Sequence, residues 1–182
     1  MADHVRDLKP WNVPIRVDDV PEAGRHVRLS ADVATRAAIA AHAGLRSLDR
    51  LEASFDITPR GRDGLHVTGE VTADVGQACV VTLEPVENAV SERVDLDFLP
   101  ASTAAHARTL TDTVNEGGNE PPELLVDGSV DLGALAVEFL IIGLDPYPRK
   151  PDVEFAAPQI EAAASGPFAA LAKLKQGPKQ QN

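Results

Sequence analysis

The sequence predicts an α+β protein: an antiparallel curved sheet or small partly open β-barrel, flanked by two to three helices. Three observations lead there. Between residues 47 and 99 apolar residues alternate with polar ones over long stretches separated by tight turns. Two other segments, near residues 30–43 and 131–143, carry apolar residues at helical spacing instead. The period-two segments follow one another with short connections, which favours an antiparallel meander over a parallel sheet.

In order, Trp11 to Val17 (WNVPIRV) alternates and reads as a first strand. Pro14 within it argues for an edge position, since proline cannot donate to a ladder. Trp11 is expected to pack against the core. Val20 to Gly24 reads as a turn, followed by a short strand around His26 to Leu29. Ser30 is a suitable N-cap for a helix from Ser30 to Ala43, which Gly44 would end. Ser47 to Thr58 places Ala53, Phe55 and Ile57 on one face, and PRGRDG is a loop with Arg60 and Arg62 at its tip. Leu65 to Val75 alternates without a break, with Gly69 and Gly76 expected to mark a bulge or bend. Cys79 to Leu83 should continue extended until Glu84-Pro85 breaks it, and Val86 to Leu99 supplies one more strand. Leu124 to Val126 reads as a short strand turned by Asp127-Gly128.

From Asp131 the chain carries its densest apolar run. Asp131 can cap a helix to about Gly143, with Leu132, Leu135, Ala136, Phe139, Leu140 and Ile142 giving a broad apolar face that should close the core. The following prolines, in DPYPRKP, forbid helix and predict a stiff extended arm presenting Arg149 and Lys150. Residues 100–122 (including NEGGNEPPE) lack periodicity and are expected to form a mobile acidic loop. The domain is placed at residues 10–155. Beyond it, 156–182 is expected to be flexible, apart from a short amphipathic helix over PFAALAKLK.

Composition narrows the chemistry. The chain of 182 residues is 43% apolar but only 4% aromatic, so its core must be aliphatic. Its net charge of -11 is uneven: Glu84 to Pro148 holds thirteen Asp/Glu against two Lys/Arg, whereas Arg6 to Arg62 holds eight against ten. Nucleic-acid affinity comes largely from cations that neutralise phosphates, so this acidity disfavours non-specific RNA binding and favours basic partners. The single cysteine, Cys79, excludes an internal disulfide and a cysteine-only zinc site, and its apolar neighbours point to a buried structural thiol. No apolar run approaches the roughly 20 residues that span a bilayer, and MADHVRDLKP has no apolar signal core. A cytoplasmic protein without membrane contact is expected. There is no Gly-rich phosphate loop and no zinc-like pairing of His residues, and the acids that fall in the expected mobile loop stand on a poor platform for a two-metal nuclease.

The segment QACVVTLEPVENAVSERV, followed at a distance by VDLGALAVEFLIIGLDPYPRKP, resembles the YceD family. That resemblance implies a bacterial-type factor in the accumulation and processing of large-subunit ribosomal RNA, without assigned catalytic residues or a cofactor. In bacteria such genes commonly lie beside that of a small basic large-subunit ribosomal protein, which suggests a ribosomal protein or pre-large-subunit particle as partner. The family pattern falls on Cys79, Glu84, Pro85, Asp131, Leu132, Glu138, Asp145, Pro146, Pro148, Arg149, Lys150 and Pro151. Many members carry C-x-x-C and further cysteines resembling a zinc-binding set; this chain has Thr82 three residues after Cys79, so no metal is carried over. The expected partner-binding residues are Arg149, Lys150, Tyr147, Asp145 and Glu84, with Arg60 and Arg62 as local RNA contacts. The expected function is non-enzymatic support of ribosome biogenesis. The alternatives are a directly RNA-binding β-barrel, disfavoured by the shortage of aromatics for base stacking, and a metal-dependent nuclease.

Overall fold

The computed structural model describes residues 10–101, 103 and 121–154. The chain divides into two compact units, 1–151 and 152–182, and every element below belongs to the first. The acidic loop expected over 100–122 falls mostly outside the described residues. The flexible segment and short helix expected beyond residue 155 lie wholly outside them.

Five strands form one open sheet in the order β2-β3-β4-β5-β6: β2 is Arg25–Ser30, β3 Ser47–Arg60, β4 Gly64–Ala78, β5 Pro85–Leu99 and β6 Glu123–Leu124. All neighbours are antiparallel except β5 and β6. The edge strands β2 and β6 do not pair with each other, so the sheet does not close into a barrel. A separate two-stranded ribbon joins β1 (Pro14–Arg16) to β7 (Ser129–Asp131). Pro14 opens β1, where its missing N–H costs little. Trp11 and Val13 pack against the core.

Period-two patterning does what it should. Leu51, Ala53, Phe55 and Ile57 of β3, Leu65, Val67, Val71, Ala73 and Val75 of β4, and Val90, Val94 and Phe98 of β5 are all buried. The opposite face is polar. Helix α2 (Leu132–Ile142) covers the apolar face and buries Leu132, Leu135, Ala136 and Leu140. Each such aliphatic side chain contributes about 1.5–3 kcal/mol when fully buried. Asp131 caps α2 through Ala134 N–H at 3.1 Å, and the same oxygen accepts Val13 N–H at 2.8 Å. Gly133 is required here: a Cβ would lie 2.8 Å from the Trp11 carbonyl oxygen, so only glycine lets the N-terminal segment cross the helix this closely.

Several boundaries differ from expectation. Ser30 ends β2 and does not cap a helix; helix α1 (Val33–Ala43) is capped by Asp32, whose carboxylate accepts Thr35 N–H at 2.7 Å. Gly44 ends it in the left-handed conformation as anticipated. Arg36 then ties α1 to the sheet by donating to the Leu48 carbonyl at 3.1 Å and the Ala31 carbonyl at 2.7 Å. The irregularity in the sheet is not at Gly69 or Gly76 but in β3, between Leu48 and Arg50. Gly69 serves a close approach instead: a Cβ there would sit 2.2 Å from the Ser54 carbonyl oxygen and 2.8 Å from the Phe55 ring. Glu84-Pro85 does not break a strand; Pro85 begins β5, and the turn comes earlier, at residues 80–82. Ile142, expected on the apolar face of α2, is 64% exposed.

Candidate interaction site

The turn joining β4 to β5 is built on Cys79. Cys79 N–H donates to the Glu84 carbonyl at 2.8 Å, and Leu83 N–H returns to the Cys79 carbonyl at 2.9 Å. Closing so short a loop forces Leu83 to φ 62°, the left-handed region that a bulky residue seldom enters. The Arg46 guanidinium donates to the Leu83 carbonyl at 2.9 Å, and Arg46 N–H donates to the Gly76 carbonyl at 2.8 Å. The residue just before β3 thereby braces the turn. Leu83 itself is 72% exposed.

The segment expected to leave as a stiff extended arm is strapped across this turn. Gln77 Nε2 donates to the Asp145 carbonyl at 2.9 Å, Val80 N–H donates to the Pro148 carbonyl at 2.9 Å, and Pro148 is buried. The Asp145 carboxylate accepts Tyr147 N–H at 2.8 Å, which shapes the bend between the prolines. Lys150 Nζ lies 2.8 Å from Glu84 Oε2, so Lys150 is paired with the turn while remaining partly exposed. The pair holds the Glu84 carboxyl below its ordinary value. Arg149 is exposed and has no ion pair among the described residues.

Cys79 is buried under the strap, not within an apolar strand. Its sulfur faces the Thr82 hydroxyl and the backbone N–H groups of Lys150, Thr82 and Val81. These bring the thiol down to about 6, led by the Thr82 hydroxyl and opposed by burial. Cys79 is therefore a buried thiol at the point where turn and strap meet. Among the described residues no three His, Cys, Asp or Glu side chains gather as a metal site would require.

Five of the residues expected to bind a partner (Asp145, Tyr147, Arg149, Lys150 and Glu84) thus come together at one end of the sheet. Arg60 and Arg62 do not join them. They sit at the β3–β4 turn, at the far end of strands of 14 and 15 residues, roughly 40 Å away at the usual strand rise. Arg60 is also engaged by Asp97 at 3.2 Å. Val80, Leu83 and Arg46 were not anticipated. Leu83 and Val80 sit in an apolar sequence that looks like strand, and nothing local marks Arg46 as a brace.

The chain matches the family model described as Large ribosomal RNA subunit accumulation protein YceD over residues 67–175, more than half of its length. No curated protein and no solved structure matches it. No helix among the described residues is long and apolar enough to cross a membrane. The matched span contains the Cys79 turn, the capping Asp131, α2 and the strap, and on it the chain belongs to the YceD family of large ribosomal RNA subunit accumulation proteins.

Proposed function

We propose that this protein supports large-subunit ribosomal RNA accumulation in the cytoplasm as a binding factor and not as an enzyme. Its partner on this reading is a basic ribosomal protein or a pre-large-subunit particle, held at the strap and turn. The observation that carries the reading is the surface there: Leu83 at 72% and Tyr147 at 71% exposed, beside Arg149, which has no ion pair among the described residues, all on a backbone that hydrogen bonds hold rigid. Exposed aromatic, aliphatic and arginine side chains on a rigid frame suit protein recognition.

The constellation that looks most catalytic supports this choice. Ser54 Oγ lies 3.4 Å from His26 Nε2, and His26 Nδ1 lies 2.7 Å from Asp56 Oδ1. Yet Arg28 Nε donates to the same His26 Nε2 at 3.2 Å, occupying the lone pair that would take a serine proton. The group also stands on an exposed sheet face.

Affinity purification, with ribosomal particles resolved on a gradient, tests the proposal. The protein should co-sediment with pre-large-subunit particles, and a deletion strain should lose mature large-subunit RNA. Absence from those fractions together with normal RNA in the deletion strain overturns it. Association abolished by ribonuclease and steeply salt-dependent would favour direct RNA binding instead.

A further inference from the structure

Among the described residues β5 is paired along its whole length on one side only. Its contacts with β4 run without interruption from Ala78↔Pro85 to Leu65↔Phe98. On the other side, among the described residues, only Phe98 and Leu99 have a partner, in β6. The register shows which backbone groups are left over. The Leu99 carbonyl accepts Leu125 N–H at 2.9 Å and so faces β6, whereas the Glu84 carbonyl accepts Cys79 N–H at 2.8 Å and faces β4. In an unbroken antiparallel strand the direction alternates residue by residue. Glu87, Ala89, Ser91, Arg93 and Asp95 therefore point N–H and C=O to the open edge. All five are exposed, and the strand ladder gives those groups no partner among the described residues.

That edge is roughly 30 Å long at the usual strand rise. A free edge of this length is a template for another strand unless something blunts it. Proline and bulges are the common devices. Here Pro85 stands only at the start, and the sheet's irregularity is in β3. The side chains select what can add. Glu87, Glu92, Asp95 and Asp97 flank the edge against one cation, Arg93. A second copy paired about Ser91 would set Glu87 opposite Asp95, like charges that destabilise a cross-strand pair. A basic strand would set cations there instead. On the inner side, the C-terminal end of α2 rests on β5, since a Cβ on Gly143 would lie 2.6 Å from Val90 Cγ1. The two residues before it, Ile141 and Ile142, are 41% and 64% exposed and offer an apolar shelf.

We propose that the free edge of β5 is a strand-addition site for an extended basic polypeptide segment with small or apolar residues at alternate positions. Main-chain hydrogen bonds would supply affinity, and the acidic face with its apolar shelf would supply selectivity. This rests on the binding-factor reading above and names the surface and the mode of attachment.

The test uses the full chain and a short synthetic peptide of alternating lysine and valine, with a glutamate–valine peptide as control. Amide hydrogen exchange followed by NMR should slow at least about tenfold at Glu87, Ala89, Ser91, Arg93 and Asp95 with the lysine peptide only, and the effect should weaken with salt. Ser91→Pro removes an outward N–H while leaving the β4 ladder intact. It should lower peptide affinity about tenfold or more and leave the Val90 and Val94 amides as protected as before; Ala89→Pro is the second variant should that one unfold. No slowing at the five amides, equal slowing with the acidic peptide, or slowing that depends on protein concentration alone overturns the proposal. The last outcome would identify a second copy as the occupant. If the edge fails this test while a deletion strain still loses large-subunit RNA, the strand-addition site falls and the binding-factor reading stands. If the RNA is normal and the peptide binds, the reverse holds.

Discussion

The Val80 N–H donates to the Pro148 carbonyl at 2.9 Å, and this bond turns the proline-rich exit of α2 into a strap over the β4–β5 turn. It separates the two cations of the segment. Lys150 is drawn onto Glu84, while Arg149 stays exposed. Arg149→Ala should leave the urea midpoint unchanged and reduce co-sedimentation with pre-large-subunit particles. Lys150→Ala should change stability little, because both partners of its pair are substantially exposed, at 41% and 55%. Unfolding curves for the two variants beside the gradient profiles check both statements. An Arg149→Ala protein that associates normally would leave the strap a purely structural device.

The thiol of Cys79 should titrate with a midpoint near 6, well below an ordinary cysteine, because hydrogen bonding from the Thr82 hydroxyl, ahead of the neighbouring backbone N–H groups, favours its thiolate. Ultraviolet thiolate absorbance of the folded protein measures this directly. Thr82→Val removes the largest of those bonds and should move the midpoint up. The sign of the linkage follows. In the unfolded chain the thiol keeps its proton to about 9, so between about 6 and 9 the unfolded state holds a proton that the folded state has released. Stability from this group rises with pH across that window and is lost as pH falls through about 6. In the variant the rise should start at higher pH.

Asp131 accepts from Ala134 at the start of α2 and from Val13 at the end of the lead into β1. Asp131→Ala removes a helix cap, worth about 0.5–2 kcal/mol, and leaves the Val13 N–H without that partner, at a further cost of about 1–3 kcal/mol if water does not reach it. Asp131→Asn keeps an acceptor in place and should recover most of the loss. Urea denaturation of the pair distinguishes capping from a general effect of charge.

Leu83 holds φ 62°, a conformation that costs an ordinary residue roughly 1–2 kcal/mol. Leu83→Gly relieves that strain but gives the unfolded chain more freedom, a loss of about 0.5–1 kcal/mol. The net effect on stability should be small and favourable. Particle association should drop, since the variant also removes a side chain that is 72% exposed. Gained stability with lost binding is the signature of a residue kept for recognition.

Gly69→Ala is the contrasting case. Its Cβ would be placed 2.2 Å from the Ser54 carbonyl oxygen and 2.8 Å from the Phe55 ring, in the middle of three long strands. The sheet must shift to admit it, and a loss of about 1–3 kcal/mol is expected from overpacking of this kind. Thermal unfolding measures it.

Much of this architecture is legible in one dimension. Alternation over residues 47–99 specifies the long strands and which face of each is buried, because a side-chain period of two admits no other arrangement that hides Phe55, Val71 and Val94 together. The density of apolar residues after Asp131, with an aspartate to cap it and a glycine to end it, specifies α2 in the same way. The family pattern also took in both the segment around Cys79 and the DPYPRKP exit. What alternation could not decide is where a chain bends when the bending residue carries no turn signature. Residues 79–83 read as strand because Cys79, Val80, Val81 and Leu83 are apolar. They turn because the Pro148 carbonyl accepts Val80 N–H and the Arg46 guanidinium donates to the Leu83 carbonyl, both from residues remote in sequence, and these bonds make the turn the better state. Prolines foretold a stiff exit from α2 but not its direction, since proline restricts dihedral angles and says nothing about which surface will accept the chain. The commitment of Lys150 to Glu84, the distance separating Arg60 and Arg62 from the strap, and the open edge of β5 all depend on strand order and register. Local sequence determined which segments become strands and helices. Long-range packing decided which charges are paired and which strand edge has no partner among the described residues.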